Sequence, residues 1–148
     1  MNSKEIISKL LSHSENKLFE ESMSDNEIYV KLGNFGIYKT YDWKEKLNPT
    51  EFNDFIYNRA KALLKINFFN QNKSNPSFLN STNTYDIESF LNNYNEVLKK
   101  LNLQILLLHP FGAKDDCYRI FVVKEDDVQF MVNFKSNFWS FKSLDKDS

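Results

Sequence analysis

Apolar side chains recur along this chain at two spacings, and the spacing assigns most of its elements. Over residues 3–23, Ile6, Ile7, Leu10 and Leu11 share one helical face that Leu18 and Phe19 extend. Asn2 with Glu5, and Ser12 with Glu15, have capping-box spacing, so one bent helix or two short ones both fit. EIYVKL, residues 27–32, alternates instead: Ile28, Val30 and Leu32 fall on one side, Tyr29 and Lys31 on the other. That pattern predicts a half-buried strand. Gly33-Asn34-Phe35-Gly36 then offers two glycines for a turn, and IYKTYDW, 37–43, returns as a second strand, so a β-hairpin is expected.

Asn48-Pro49-Thr50-Glu51 is a strong helix start, with an Asn cap, Pro in the first helical position and Glu three residues after the cap. Phe52, Phe55, Ile56, Ala60, Leu63 and Leu64 follow at helical spacing, predicting a helix over 49–66. Residues 70–83 are mostly small or polar, lack periodicity and read as a surface loop. The clearest element lies over 84–101, where Ile87, Phe90, Leu91, Tyr94, Val97, Leu98 and Leu101 form one stripe. Asp86 and Glu88 stand in its first turn, Lys99 and Lys100 in its last, and Asn102 is placed to end it in the left-handed conformation. LQILLLH, 103–109, is a nearly continuous apolar run, as expected of a strand covered on both sides or of a central strand. CYRIFVVK, 117–124, is another strand, with Cys117, Arg119, Phe121 and Val123 on one side and Tyr118, Ile120 and Val122 on the other. Residues 125–134 read as a short helix with acids at its start, and FWSFK, 138–142, as an edge strand.

Together these elements predict an α+β fold. An antiparallel sheet of four or five strands carries the 49–66 and 84–101 helices, and strands 103–109 and 117–124 are neighbours. Leu91, Leu98, Leu107 and Phe121 are expected in the core. The 148 residues suit one domain, 1–148, with 143–148 a frayed tail.

Composition narrows the function classes. Hydrophobic residues make up 41% and aromatics 16%, enough to offset the entropy of ordering the chain. A net charge of −1, with Arg59 and Arg119 the only arginines, lacks the basic excess of a nucleic-acid binder. No apolar run reaches membrane-spanning length, and MNSKEIISKLLSHSEN lacks the continuous apolar stretch of a signal peptide, so a cytoplasmic location is expected. The single cysteine excludes an internal disulfide and a cysteine-rich zinc site. The abundance of Asn, Lys, Phe, Ile and Tyr matches the codon usage of an AT-rich bacterial genome.

The densest candidate chemistry is HPFGAKDDCYRI, 109–120, which holds His109, Asp115, Asp116 and Cys117. Pro110 and Gly112 account for it as a hairpin loop. The His–x5–Asp–Asp–Cys order matches no metal-ligand spacing, and a Cys–His nucleophile needs a third orienting group that the pattern does not supply. No metal, no cofactor and no catalytic residue is therefore expected. Acidic pairs and runs, Glu20-Glu21, Asp115-Asp116 and Glu125-Asp126-Asp127, read as solvated ends of elements. The aromatics Trp43, Tyr38, Tyr41, Trp139 and Phe141 leave two readings open: an outward protein-binding patch beside acidic turns, or a two-sided core with helices over both faces.

Asp42-Trp43-Lys44-Glu45 ending a strand before a helix, Tyr94-Asn95-x-x-Leu98-Lys99-Lys100-Leu101-Asn102-Leu103, and Asp115-Asp116-Cys117-Tyr118 opening the Arg119–Lys124 strand form one combination. Over 37–134 it resembles an uncharacterised bacterial domain family. The small, Phe-rich α+β pattern also resembles immunity proteins of polymorphic toxin systems, including contact-dependent inhibition, and is similar to the Smi1/Knr4 superfamily. The resemblance implies a non-enzymatic protein that binds a cognate toxin domain. The expected contact residues are Trp43, Asp115, Asp116, Glu125, Asp126 and Asp127, facing a basic partner such as a nuclease. Two other readings stand beside it: a regulatory or scaffolding domain that binds a host protein, and a small enzyme using the His109–Cys117 hairpin.

Overall fold

The computed structural model describes residues 3–17, 19, 23–42, 48–64, 87–108, 117–136 and 138–144. Its elements are α1 (Ser3–Leu10), α2 (His13–Asn16), α3 (Asp25–Asn34), β1 (Tyr38–Asp42), α4 (Pro49–Leu64), α5 (Ile87–Lys99), β2 (Leu103–Leu108), β3 (Cys117–Lys124), a 3₁₀ turn (Glu125–Asp127), α6 (Val128–Asn133) and β4 (Phe141–Ser143). The fold is α+β. Four antiparallel strands lie in the order β1-β3-β2-β4. The neighbouring of β2 and β3 follows the sequence reading, with Ile105 opposite Val122 and Leu107 opposite Ile120.

Each strand alternates between two cores, one on each face of the sheet. Leu106, Leu108, Phe121, Val123 and Phe141 face one core, closed by Ile6, Ile7 and Leu10 of α1, Ile28 and Leu32 of α3, and Met131 of α6. Leu103, Ile105, Ile120 and Val122 face the other, closed by Phe52 and Ile56 of α4 and Phe90, Leu91, Tyr94 and Leu98 of α5. The near-continuous apolar run of β2 is the signature of a strand covered on both sides. Leu91, Leu98 and Phe121 are buried as expected, whereas Leu107, late in β2, is only partly covered.

One predicted element is wrong. Residues 27–32 are helical, within α3, and form no hairpin with β1. Ser24 and Glu27 make a reciprocal capping box, the Glu27 N–H donating to Ser24 Oγ at 3.2 Å and the Ser24 N–H to Glu27 Oε1 at 3.1 Å. Gly33-Asn34-Phe35-Gly36 ends this helix. Gly36 is left-handed (φ 72°), its N–H donates to Gly33 O, and the Ile37 N–H donates to Leu32 O, which is the Schellman pattern. The strand partner of β1 is therefore β3, with Tyr38 opposite Phe121 and Asp42 opposite Cys117.

Elsewhere the differences are boundaries. The N-terminal helix is two short helices, joined by the predicted Ser12–Glu15 capping box. Asn48 caps α4 through the Glu51 N–H at 3.1 Å, and Asn102 closes the α5 end at φ 63°. The 125–134 segment is a 3₁₀ turn followed by α6. The edge strand is shorter than 138–142, and Ser143 lies within it, with Leu144 packed on the second core, so neither belongs to a frayed tail. The 70–83 loop and residues 145–148 lie outside the described residues.

Candidate functional site: an acidic turn at the end of β3

Polar groups inside the two cores are used to fix elements in place. Among the described residues the buried polar side chains are Asn53, Arg59, Asn95 and Gln104. The Tyr94 hydroxyl donates to Asn53 Oδ1 at 2.6 Å, joining α5 to α4. Burial, then the charge of Asp54, pushes the Tyr94 phenol well above its ordinary range, so it stays a proton donor. The Ile105 N–H donates to Asn95 Oδ1 at 2.8 Å, just before the point where pairing of β2 with β4 begins at Leu106. Arg59, 3% exposed, donates to both carboxylate oxygens of Glu15 (2.9 and 3.3 Å) and to Leu10 O (2.6 Å), tying α4 to the corner between α1 and α2.

Gln104 is the member of this set that reaches the surface chemistry. Its Nε2 donates to Glu125 Oε2 at 2.6 Å, and the Glu125 N–H donates to Asn102 O at 2.8 Å. Glu125 is thereby held from two sides at the end of β3 while remaining exposed. Two residues on, half-buried Asp127 pairs with Lys9 of α1 at 3.4 Å, and the same ammonium lies 5.4 Å over the Phe130 ring. Between them Asp126 is exposed. The turn presents three carboxylates, of which Glu125 and Asp127 are positioned by contacts to β2 and α1. Among the described residues, Lys9, already paired, and exposed Lys124 are cations at this turn.

Of the contact residues that the sequence predicts, the structure describes Glu125, Asp126 and Asp127. Glu125, Asp126 and Asp127 follow the last residue of β3, about 23 Å along the strand from Cys117 at about 3.3 Å per residue. His109, Asp115, Asp116 and Trp43 lie outside the described residues, as does the side chain of Cys117. Among the described residues, no group of three or more His, Cys, Asp or Glu is arranged to hold a metal ion.

For Tyr38, Tyr41, Trp139 and Phe141 the two-sided core is the reading observed, while Trp43 lies outside the described residues. Trp139 and Phe141 are fully buried and stacked, centroids 6.1 Å apart, and Phe141 meets Phe121 edge-on at 5.2 Å. The Trp139 indole N–H donates to Asp25 Oδ1 at 3.0 Å, at the start of α3. Tyr38 and Tyr41 lie on opposite faces, as the alternation requires: Tyr41 joins the α4–α5 core, and Tyr38 is sandwiched between Tyr29 (4.9 Å) and Phe121 (5.0 Å).

Among the described residues, the exposed large apolar side chains, Val30 (50%) and Phe35 (49%), stand instead on α3 and its C-terminal cap. Lys31 lies over the rings of Phe19 and Phe35. The strand reading missed this surface because it turned Val30 inward with Ile28 and Leu32. No helix among the described residues is long and apolar enough to cross a membrane. The chain matches no protein-family model, no curated protein and no solved structure.

Proposed function

We propose that this protein is a non-enzymatic immunity protein that binds and neutralises a cognate bacterial toxin domain through its acidic turn. The observation that carries the reading is the fixed geometry of Glu125–Asp127. Gln104, Asn102 and Lys9 hold the turn before any partner arrives. A held turn loses little conformational entropy on association, which is where preorganised interfaces gain affinity. Its carboxylates complement a basic surface, such as the substrate-binding side of a nuclease. Trp43, Asp115 and Asp116 belong to the same proposal as an aromatic and acids whose chemistry suits a basic protein partner. Inhibition of this kind requires a rigid scaffold and a complementary surface, and the paired cores supply the scaffold.

Co-expression with the toxin encoded beside this chain is the test. Cells carrying both are expected to survive, and purified protein to form a stoichiometric complex with the toxin domain. Equal killing with and without this chain would overturn the reading. Protection that persists unchanged in Asp126→Lys would keep the immunity function and move the contact surface elsewhere.

A further inference from the structure

We draw no further inference here: the strongest candidate, the outward surface of α3 where Val30 and Phe35 stand exposed beside Lys31, is an apolar face for which nothing in the structure shows what covers it.

Discussion

At the scale of single residues, the most consequential side chain is Arg59. Its guanidinium is buried, and it satisfies Glu15 and the carbonyl that ends α1 together. Removing one member of such a pair leaves the other's charge poorly solvated. Glu15 keeps about a quarter of its side chain accessible and can turn towards water. Arg59→Met is therefore expected to cost about 2–3 kcal/mol on denaturant titration, below the figure for a fully buried pair. The same variant should change the acid response. Burial alone would raise the Glu15 pKa, but hydrogen bonds from Arg59 and the Ser12 N–H, with the Arg59 charge, outweigh it and hold the carboxyl below its ordinary 4.5. A lowered folded-state pKa contributes stability that is present above 4.5 and is lost as pH falls through the folded value. Arg59→Met should flatten that acid limb, and an unchanged limb would show that the pair does not set it. Gly33 gives a second residue-scale prediction, with an unusual sign. Gly→Ala inside a helix ordinarily stabilises by about 0.5–1 kcal/mol. A Cβ at Gly33, however, would lie 2.7 Å from the Tyr38 hydroxyl oxygen. Tyr38 has little room to move, stacked between two rings with its hydroxyl donating to Tyr29 O at 3.2 Å. Gly33→Ala is expected to lower the melting temperature, and adding Tyr38→Phe to recover part of the loss by removing the nearest clashing atom.

At the scale of elements, the strands and the two long helices were legible because each has a pattern that only one geometry satisfies. The α5 stripe runs over too many turns to be a strand, and β2 is too short and too uniformly apolar to be a surface helix. EIYVKL was ambiguous for a physical reason. Ile28 and Leu32 are four apart as well as two alternations apart, so both periods place them on one face. Val30 is the residue that distinguishes them, since a strand buries it with its neighbours and a helix turns it outward. The following glycines did not resolve the matter, because a hairpin turn and a Schellman cap both need a residue with positive φ. The deciding signal was present in the sequence as Ser24-x-x-Glu27, a capping box one residue before the helix. Two substitutions test this assignment by thermal or chemical unfolding. Val30→Lys is expected to change stability by no more than about 0.5 kcal/mol, as at other exposed sites away from special contacts. Ser24→Ala should cost about 1 kcal/mol through the lost cap. A large loss from Val30→Lys would mean that the side chain is covered in solution.

At the scale of the whole molecule, layering was only half legible. Alternation along β3 requires two covered faces, yet it does not say which helix covers which face. That assignment rests on contacts between residues far apart in the chain, such as Arg59 with Glu15, Tyr29 with Arg119 (2.7 Å between Nε and the phenol oxygen) and Trp139 with Asp25. None has a local spacing that a reading of the sequence could detect. The 125–127 turn is likewise placed by such contacts, to Gln104 of β2 and Lys9 of α1. That placement has a measurable consequence for the proposed toxin complex. If the 125–127 turn meets a basic surface, its field should accelerate encounter at low salt and lose reach as the Debye length falls from about 10 Å at 0.1 M to about 3 Å at 1 M. Asp126→Lys reverses an exposed charge between two positioned carboxylates, and a surface change of this kind leaves the fold intact. Stopped-flow association with the purified toxin domain should therefore show a several-fold slower on-rate for the variant near 0.1 M salt and a much smaller difference near 1 M, with dissociation changed less. An equal on-rate at both salt concentrations would place the contact away from this turn. A variant that dissociates faster with an unchanged on-rate would instead indicate that Asp126 makes a direct contact and does not act through the field of the turn.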